Sequence, residues 1–296
     1  MSADFRRTAM NETLKRLAPS ALRGKELGPQ ARWALQYPLY QVWRRTLGRG
    51  KRLDRPIFMI GSPRSGTTIA TRLFAAHPDV ANLSEARAVW DPGLLQGRLP
   101  KSDVRTAHDA TPEEVERLHS RFAFHQWLHH AKRFFNKSPF NSIRIDFVRA
   151  VFPDAVFVHV IRDGRAVAES MWRLREEFGM KFVKPPEGGD PRGPADPLEH
   201  AALDWVRIVS HVRATRDALD GRYHEFRYED LCRDCRGVLG RAFSFAELPA
   251  GPAVIERFPE RLESRNDKWR SRFTPEQIER VTALQQDLLL ELGYQP

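Results

Sequence analysis

The sequence predicts an α/β fold of three layers, in which a central parallel sheet is flanked by helices. Short apolar runs at 57–60 and 155–160 have the length and composition of buried strands. Longer segments with a helical pattern, such as 198–219, alternate with them. Because the carboxyl ends of parallel strands meet at one edge of a sheet, we expect the ligand to lie over that edge.

The remaining elements follow in chain order. Residues 57–60 lead through a Gly/Ser loop into a helix that begins near Ile69. Thr111 is a good N-cap and Pro112 a good first residue for a long helix, which we expect to reach about Arg133. Further strands are predicted at 79–83, 155–160 and 223–228, and further helices at 141–152, 198–219 and from 274 onward.

Two stretches differ from this regular pattern. Residues 179–197 are rich in Pro and Gly, and a loop of this length is usually disordered or a lid. Residues 1–55 contain 13 Lys/Arg and four Asp/Glu, so they hold +9 of the formal net charge of +10. We therefore divide the chain into a basic N-terminal arm, 1–55, and one domain, 56–296.

The arm combines basic with aromatic residues, since four aromatic side chains lie among arginines between Ala31 and Leu47. The simpler interpretation is a helix, broken at Pro38, that packs on the domain with its charges in solvent. The other is peripheral contact with an anionic membrane surface or an acidic partner. Nucleic-acid binding is disfavoured, because the basic and aromatic pattern does not continue into the domain.

The composition is that of a water-soluble globular protein, with 41% hydrophobic and 29% charged residues. No apolar run approaches the roughly 18 residues that a membrane span requires. The first residues lack the apolar stretch of a secretory signal. Two cysteines are too few for a disulfide framework. These features together predict a cytoplasmic protein.

The segment 56–68, PIFMIGSPRSGTT, has the order of a phosphate-binding element: a strand, a tight loop and a helix N-terminus. It fits the pattern G-x-x-x-x-G-K-[ST] at both glycines and at Thr68, but Thr67 stands at the lysine position. Since that lysine contacts the β and γ phosphates of a nucleotide, the loop is poorly suited to a triphosphate. Its N–H groups and hydroxyls still suit a 5′-phosphate, and Arg64 supplies positive charge.

A second element, 155–172, also joins an apolar strand to the start of a helix. Arg162 comes at the end of the strand, and Ser170 follows eight residues later, about two helical turns on. A guanidinium and a hydroxyl in these positions could hold one phosphate group together.

The two elements together resemble those of sulfotransferases that use 3′-phosphoadenosine 5′-phosphosulfate (PAPS). PRSGTT resembles the family's 5′-phosphosulfate loop, and IRDGRAVAES resembles its 3′-phosphate element. The resemblance covers roughly 56–172 and 223–277. It implies that 56–296 is a sulfotransferase domain with a P-loop-like fold. It also implies PAPS as co-substrate, 3′,5′-bisphosphoadenosine (PAP) as its product, and no metal.

The same resemblance implies particular nucleotide ligands. Arg64 is expected at the oxygen that bridges the sulfuryl group and the phosphate, and Arg162 and Ser170 at the 3′-phosphate. Tyr228, in RYEDL, resembles the family's tyrosine at a strand end and is expected near the nucleotide or in the core. The expected ligands of the 5′-phosphate are Ser65, Gly66, Thr67 and Thr68.

The catalytic base is expected to be Glu85. Protein-tyrosine sulfotransferases carry a glutamate after the strand that follows the first helix, and Glu85 stands there, although Ser84 replaces an acid that often precedes it. Many cytosolic sulfotransferases use a histidine instead, but His159 lies inside an apolar strand and is interpreted as a core residue. Lys137, in NKSPF, resembles the family's lysine near the sulfuryl group. The catalytic candidates are therefore Glu85, Arg64 and Lys137.

Two patterns that resemble metal sites receive structural interpretations. His125 and His129 are four residues apart on a predicted helix, but no carboxylate completes a zinc set. Cys232 and Cys235 follow RYEDL into another predicted helix and lack partner ligands.

The sequence thus predicts transfer of a sulfuryl group from PAPS to a hydroxyl or amine. A glycan, lipid, small molecule or protein tyrosine is compatible as acceptor. Two alternatives stay open: a metal-dependent phosphotransferase with a degenerate P-loop, and a non-catalytic nucleotide-binding module. Thr67 and the pair Arg162/Ser170 argue against the first alternative.

Overall fold

The computed structural model describes residues 29–93, 103–179 and 196–295, with side chains from residue 35 onward. Five parallel strands form one sheet in the order β2-β3-β1-β4-β5. The predicted α/β class with a central parallel sheet is confirmed. The strands are β1 (Ile57–Ile60), β2 (Val80–Asn82), β3 (Arg133–Lys137), β4 (Val156–Ile161) and β5 (Tyr223–Arg227).

Helices cover both faces of this sheet. Short 3-10 turns lie between some of them, at Ala107–Asp109, Pro139–Ile143 and Asp217–Leu219. Along the described ranges the α-helices are α1 (Pro29–Arg45), α2 (Thr67–Ala75), α3 (Arg87–Trp90), α4 (Pro112–Leu128), α5 (Ile145–Val151), α6 (Gly164–Phe178), α7 (Pro197–Ala214), α8 (Tyr228–Arg233), α9 (Cys235–Phe245), α10 (Pro252–Ile255), α11 (Lys268–Arg272) and α12 (Pro275–Glu291).

Strand β1 lies at the centre of the fold, between β3 and β4. Phe58 and Ile60 pack in a cluster with α1, α4 and α5, whereas Ile57 and Met59 pack with α2, α8 and α9. Successive residues of a strand point to opposite faces, so a strand that is apolar throughout must be covered on both. The loop that follows β1 therefore leaves the middle of the sheet's carboxyl edge.

The long helix predicted after Thr111 begins as expected. Thr111 Oγ1 accepts the N–H of Glu114 at 3.3 Å, and Pro112 is the first helical residue. The predicted end near Arg133 is wrong, because α4 stops at Leu128 and 133–137 form β3. Only two of the five residues of β3 are apolar, and its assignment depends on pairing with β1 and β2, which local propensity does not encode.

The helix predicted at 141–152 is also corrected. It is a 3-10 turn, Pro139–Ile143, followed by α5. The break falls at Arg144, whose φ of −130° is not helical. The tight turn brings the side chains before Arg144 against the loop after β1, as described below.

Two further boundaries differ by a few residues. The helix predicted at 198–219 ends at Ala214. Thr215 Oγ1 then bonds the Val212 carbonyl at 2.7 Å, a local bond that competes with the helical ladder. The strand predicted at 223–228 stops one residue earlier, since Tyr228 begins α8. The helix predicted from 274 is confirmed as α12. The predicted lid at 179–197 falls, apart from its ends, outside the described residues.

The basic arm is helical from Pro29 to Arg45 and continues to residue 55 as turns and irregular chain, and the predicted break at Pro38 is wrong. Helix α1 continues through Pro38 to Arg45. Tyr40 and Trp43 are buried against α4. Their packing offsets the loss of the backbone hydrogen bond that a proline cannot donate. The division of the chain at residue 55 stays a prediction. Among the described residues, no helix is both long and apolar enough to cross a membrane.

Candidate functional site

The predicted site residues come together at the carboxyl edge of the sheet. Arg64 lies in the loop after β1, Glu85 after β2, Lys137 at the end of β3, Arg162 after β4 and Tyr228 after β5. Each of the five strands therefore delivers one of these side chains to the same edge. A parallel sheet places its ligands there, in the crevice outside the strand ends.

The loop after β1 ends in a turn that requires glycine. Gly66 has a left-handed φ of 90°, and a Cβ atom there would lie 2.4 Å from the Tyr228 ring. Helix α2 starts at the next residue, Thr67, so its first N–H groups have no partners within the helix. The buried Ser65 hydroxyl likewise has no hydrogen-bond partner in the described part of the chain. These unpaired donors fit a bound anion such as a phosphate.

Arg64 connects the loop to the second predicted phosphate-binding element. Its Nε donates to Ser170 Oγ at 2.9 Å, and its carbonyl accepts from Arg162 Nη1 at 3.1 Å. Burial, together with the charges of Arg162 and Arg173, lowers the pKa of Arg64, and Glu169 offsets this in part. Guanidinium groups that repel one another mark a place where an anion would be stabilised. The φ of Arg64, 70°, is uncommon outside glycine, and such conformations cluster at functional sites.

Arg162 is held by a segment that the sequence did not link to it. Its Nε donates to Asn266 Oδ1 at 3.1 Å and its Nη2 to the Arg265 carbonyl at 2.6 Å. Its guanidinium lies 4.6 Å from the centre of the Tyr228 ring. The Tyr228 hydroxyl in turn accepts the Arg265 N–H at 3.2 Å. Sequence reasoning missed Asn266 because about a hundred residues separate it from Arg162, and no local pattern reports such a contact.

Arg173 is a second residue that sequence reasoning missed, and here a signal existed. It follows Ser170 by three residues on α6, so the two share a helix face. Its Nε lies 3.5 Å from the carboxylate of Glu169, which also accepts from Arg272 at 2.7 Å. Arg173 Nη1 also donates to Glu177 at 2.8 Å, so the two arginines beside Ser170 on α6 and α11 are both paired with carboxylates.

Glu85 and Lys137 form an ion pair at the other end of the edge. The Lys137 side chain is only 7% exposed, whereas that of Glu85 is 62% exposed. The Glu85 N–H also donates to the Lys137 carbonyl at 2.8 Å, and the φ of Glu85 is 54°. A buried cation thus holds a carboxylate that remains open to solvent. An acceptor hydroxyl can approach this carboxylate from outside.

His159 is a core residue, as predicted. It is fully buried, and its Nδ1 lies 2.6 Å from the Tyr223 hydroxyl. Burial lowers its pKa, so the neutral form is favoured. Cys232 and Cys235 are buried and unbridged. Within the described ranges, no group of three or more His, Cys, Asp or Glu side chains could hold a metal ion.

Comparison with known proteins assigns the family. A family model described as "Sulfotransferase family" matches residues 56–252, more than half of the chain. The chain belongs to the sulfotransferase family. Protein-tyrosine sulfotransferase 1 of Danio rerio is 31% identical over 152 residues, which are 45% of this chain and 42% of that protein. The human protein of the same name is 32% identical over 128 residues, 40% of this chain and 34% of that one. The chain thus spans less than half the length of these relatives.

Solved structures of other sulfotransferases share its fold. Sulfotransferase STF9 from Mycobacterium avium superposes with a TM-score of 0.55 at 15% identity, over 90% of this chain and 84% of that one. The sulfotransferase domain from the curacin biosynthetic pathway gives a TM-score of 0.53 at 17% identity, over 83% and 99%. At such identities the similarity concerns the fold alone. The predicted P-loop-like α/β fold is therefore confirmed for this sulfotransferase.

Proposed function

We propose that this protein transfers a sulfuryl group from PAPS to a hydroxyl or amine acceptor. One observation carries the proposal: Arg64 joins two phosphate-binding elements at one sheet edge, through Ser170 Oγ and the Arg162 guanidinium. Two such elements suit a nucleotide that has phosphates on both its 5′ and 3′ positions. Membership of the sulfotransferase family supports the reaction class.

The loop after β1 is assigned to the 5′-phosphate. Its contacts would come from N–H groups and hydroxyls of Ser65, Gly66, Thr67 and Thr68, and the unpaired Ser65 hydroxyl supports this. The 3′-phosphate is assigned to Arg162 and Ser170. Because Ser170 Oγ accepts from Arg64, the Ser170 proton stays available for a phosphate oxygen.

Glu85 is assigned as the general base. It takes the proton of the acceptor hydroxyl while the acceptor oxygen forms a bond to sulfur. The bond between sulfur and the bridging oxygen breaks, and its electron pair stays on the departing phosphate. Arg64 and Lys137 would stabilise the negative charge that develops there. Such transfers pass through a loose transition state, so positioning and charge do most of the work.

The acceptor and the cellular location are proposed only in general terms. Protein-tyrosine sulfotransferases are among the relatives, so tyrosyl peptides come first in an acceptor panel, before sugars, lipids and small phenols. A cytoplasmic location is kept as proposed from the sequence. Peripheral contact with an anionic membrane is kept for the arm, whose outer side exposes Arg44, Arg45, Arg49, Lys51 and Arg52.

A transfer assay with two donors tests the proposed reaction. PAPS labelled with sulfur-35, and magnesium ATP labelled on its γ-phosphate, are each incubated with the protein and the acceptor panel. Label from PAPS that reaches an acceptor, at a rate about 1,000-fold lower in Glu85→Gln, would support the proposal. Label that moves only from ATP would contradict it and favour the phosphotransferase. Tight PAP binding without transfer to any acceptor would favour the non-catalytic module.

A further inference from the structure

Three fully buried polar residues lie between the phosphate loop and the turn that carries Glu85, and the proposed reaction uses none of them. They are Asn136, Asn141 and Ser142, each at most 1% exposed. Burying an amide or hydroxyl is unfavourable unless its hydrogen bonds are satisfied. Their partners in the protein therefore indicate what they do.

Ser142 fastens the start of the phosphate loop. Its Oγ accepts the N–H of Gly61 at 2.9 Å and donates to the Gly61 carbonyl at 2.9 Å. Gly61 is the first residue after β1, and a Cβ atom there would lie 2.6 Å from the Val160 carbonyl oxygen. One side chain thus satisfies both backbone groups of a residue that is wedged against β4.

Asn136 fastens the turn that carries Glu85. Its Nδ2 donates to the Leu83 carbonyl, and its Oδ1 accepts from Asn141 Nδ2 at 2.8 Å. The backbone on either side is held by β3, because the Leu83 N–H bonds the Phe135 carbonyl at 2.9 Å. The Glu85 N–H bonds the carbonyl of Lys137, two residues further along β3, at 2.8 Å. Leu83–Glu85 thus continues the pairing of β2 with β3. Between these two backbone hydrogen bonds, the Asn136 side chain bonds the Leu83 carbonyl.

Asn141 completes the connection, since it bonds Asn136 and is the chain neighbour of Ser142 in the turn Pro139–Ile143. We propose that Asn136, Asn141 and Ser142 form a positioning network that fixes the Glu85 turn relative to the phosphate loop. The inference rests on the proposed function. A base and a phosphate must be aligned to a fraction of an ångström for transfer, and these side chains supply a rigid link between them.

Hydrogen exchange tests the link without any acceptor. In the wild type, saturating PAP should slow amide exchange in a peptide spanning 80–90, although the nucleotide binds at the loop after β1. In Asn136→Ala and Ser142→Ala, the factor by which PAP slows exchange in this peptide should be at least about fivefold smaller than in the wild type. Equal protection in wild type and both variants would overturn the proposal. Ser120→Ala is the matched control, because it removes one buried hydrogen bond, to Tyr40, far from the loop.

Kinetics separate a positioning role from a merely structural one. Asn136→Ala should lower kcat about 10- to 100-fold and leave the PAP dissociation constant within threefold, whereas Ser142→Ala should weaken PAP binding about tenfold. Asn141→Ala leaves both backbone contacts in place and serves if Asn136→Ala fails to fold, with a fall in kcat of about threefold to tenfold. Unchanged kcat in Asn136→Ala or Asn141→Ala, at normal PAP binding, would contradict the network. If neither the wild type nor any variant transfers a sulfuryl group, but the variants still reduce the effect of PAP on exchange, the proposed reaction is wrong and the proposed network still stands.

Discussion

The two ends of the carboxyl edge differ in how their charges are arranged. Around β1 and β4, Arg64 and Arg162 face each other beside Ser170, and burial and mutual repulsion lower the pKa of Arg64. Around β2 and β3, Lys137 meets one carboxylate, that of Glu85, and the pair is balanced. The first end therefore has an excess of positive charge, whereas the charges of the pair at the second end cancel.

This difference is consistent with the roles proposed above for the two ends. An excess of guanidinium groups suits a ligand that brings several negative charges of its own. A balanced pair with an exposed carboxylate suits a neutral hydroxyl whose proton must be removed. Disrupting the two ends should therefore have separable effects, on turnover at one and on nucleotide affinity at the other.

The largest effect is expected at the balanced end. Glu85→Gln keeps the shape of the side chain but removes the carboxylate that we propose as the base, so kcat should fall about 1,000-fold, within the usual range for loss of a general base. The PAP dissociation constant should stay within twofold, as measured by calorimetry beside steady-state kinetics. A large loss of PAP affinity would mean that the two ends are not separable.

The next largest effect is expected at the cationic end. Arg162→Ala removes the guanidinium that Tyr228, Asn266 and Arg265 hold in place, and PAP binding should weaken about 100-fold, as expected when one partner of a charged hydrogen-bonded pair is lost. Arg257→Ala removes an exposed arginine elsewhere and should change nothing. Equal PAP affinities in Arg162→Ala and Arg257→Ala would show that Arg162 does not contribute to nucleotide binding.

Ser170→Ala should have a smaller effect of the same kind. It deletes one neutral hydroxyl that bonds Arg64, so PAP affinity should fall about tenfold, the scale of one hydrogen bond. Ser170→Thr keeps the hydroxyl and should recover most of the affinity in the same titration. Failure of Thr to recover any affinity, with the fold intact, would argue for a packing role.

Helices and motifs at the cationic end could be predicted from sequence because their signals are local. PRSGTT and the spacing of Arg162 from Ser170 lie within single strand–loop–helix units, and the structure brings these units together. The contact of Arg162 with Asn266 could not be predicted, since it joins distant segments. The same reason explains why β3 was missed, although Lys137 at its end was identified.

Positive φ values at Arg64 and Glu85 were also beyond sequence reasoning. Neither residue type favours the left-handed region, so only the surrounding structure can impose it. These two departures from local preference fall on a predicted cofactor ligand and on the predicted base.

The smallest effect on catalysis is expected from a third cluster, away from both ends. Glu225 accepts from Arg213 at 2.6 Å and from the Tyr223 hydroxyl at 2.5 Å. Burial raises the pKa of Glu225, but the hydrogen bonds of His159 and Tyr223 and the charge of Arg213 outweigh burial and lower this pKa to about 2. This pKa lies below the usual 4.5. The contribution of the ionised Glu225 to the free energy of unfolding is therefore complete above pH 4.5 and is lost as the pH falls toward 2.

The pKa of His159 is also lowered, mainly by burial. Its contribution therefore declines as the pH falls below its usual value of 6.5, in the same direction. Glu225→Gln should lower the free energy of unfolding by about 2 kcal/mol at pH 7 and flatten its decline between pH 4.5 and 2. Urea denaturation at several pH values measures this, and PAP affinity at pH 7 should not change. An unaltered acid profile would show that the cluster does not control acid stability.

The central claim is that the cationic end is built for a nucleotide with phosphates on both sides, and calorimetric titration tests it most directly. PAP is titrated into the wild type and Arg162→Ala, beside adenosine 5′-phosphate and ATP, each with and without magnesium. We expect PAP to bind tightly without magnesium, and to lose that advantage over adenosine 5′-phosphate in Arg162→Ala. Magnesium-dependent binding of ATP, with no preference for PAP, would contradict the account.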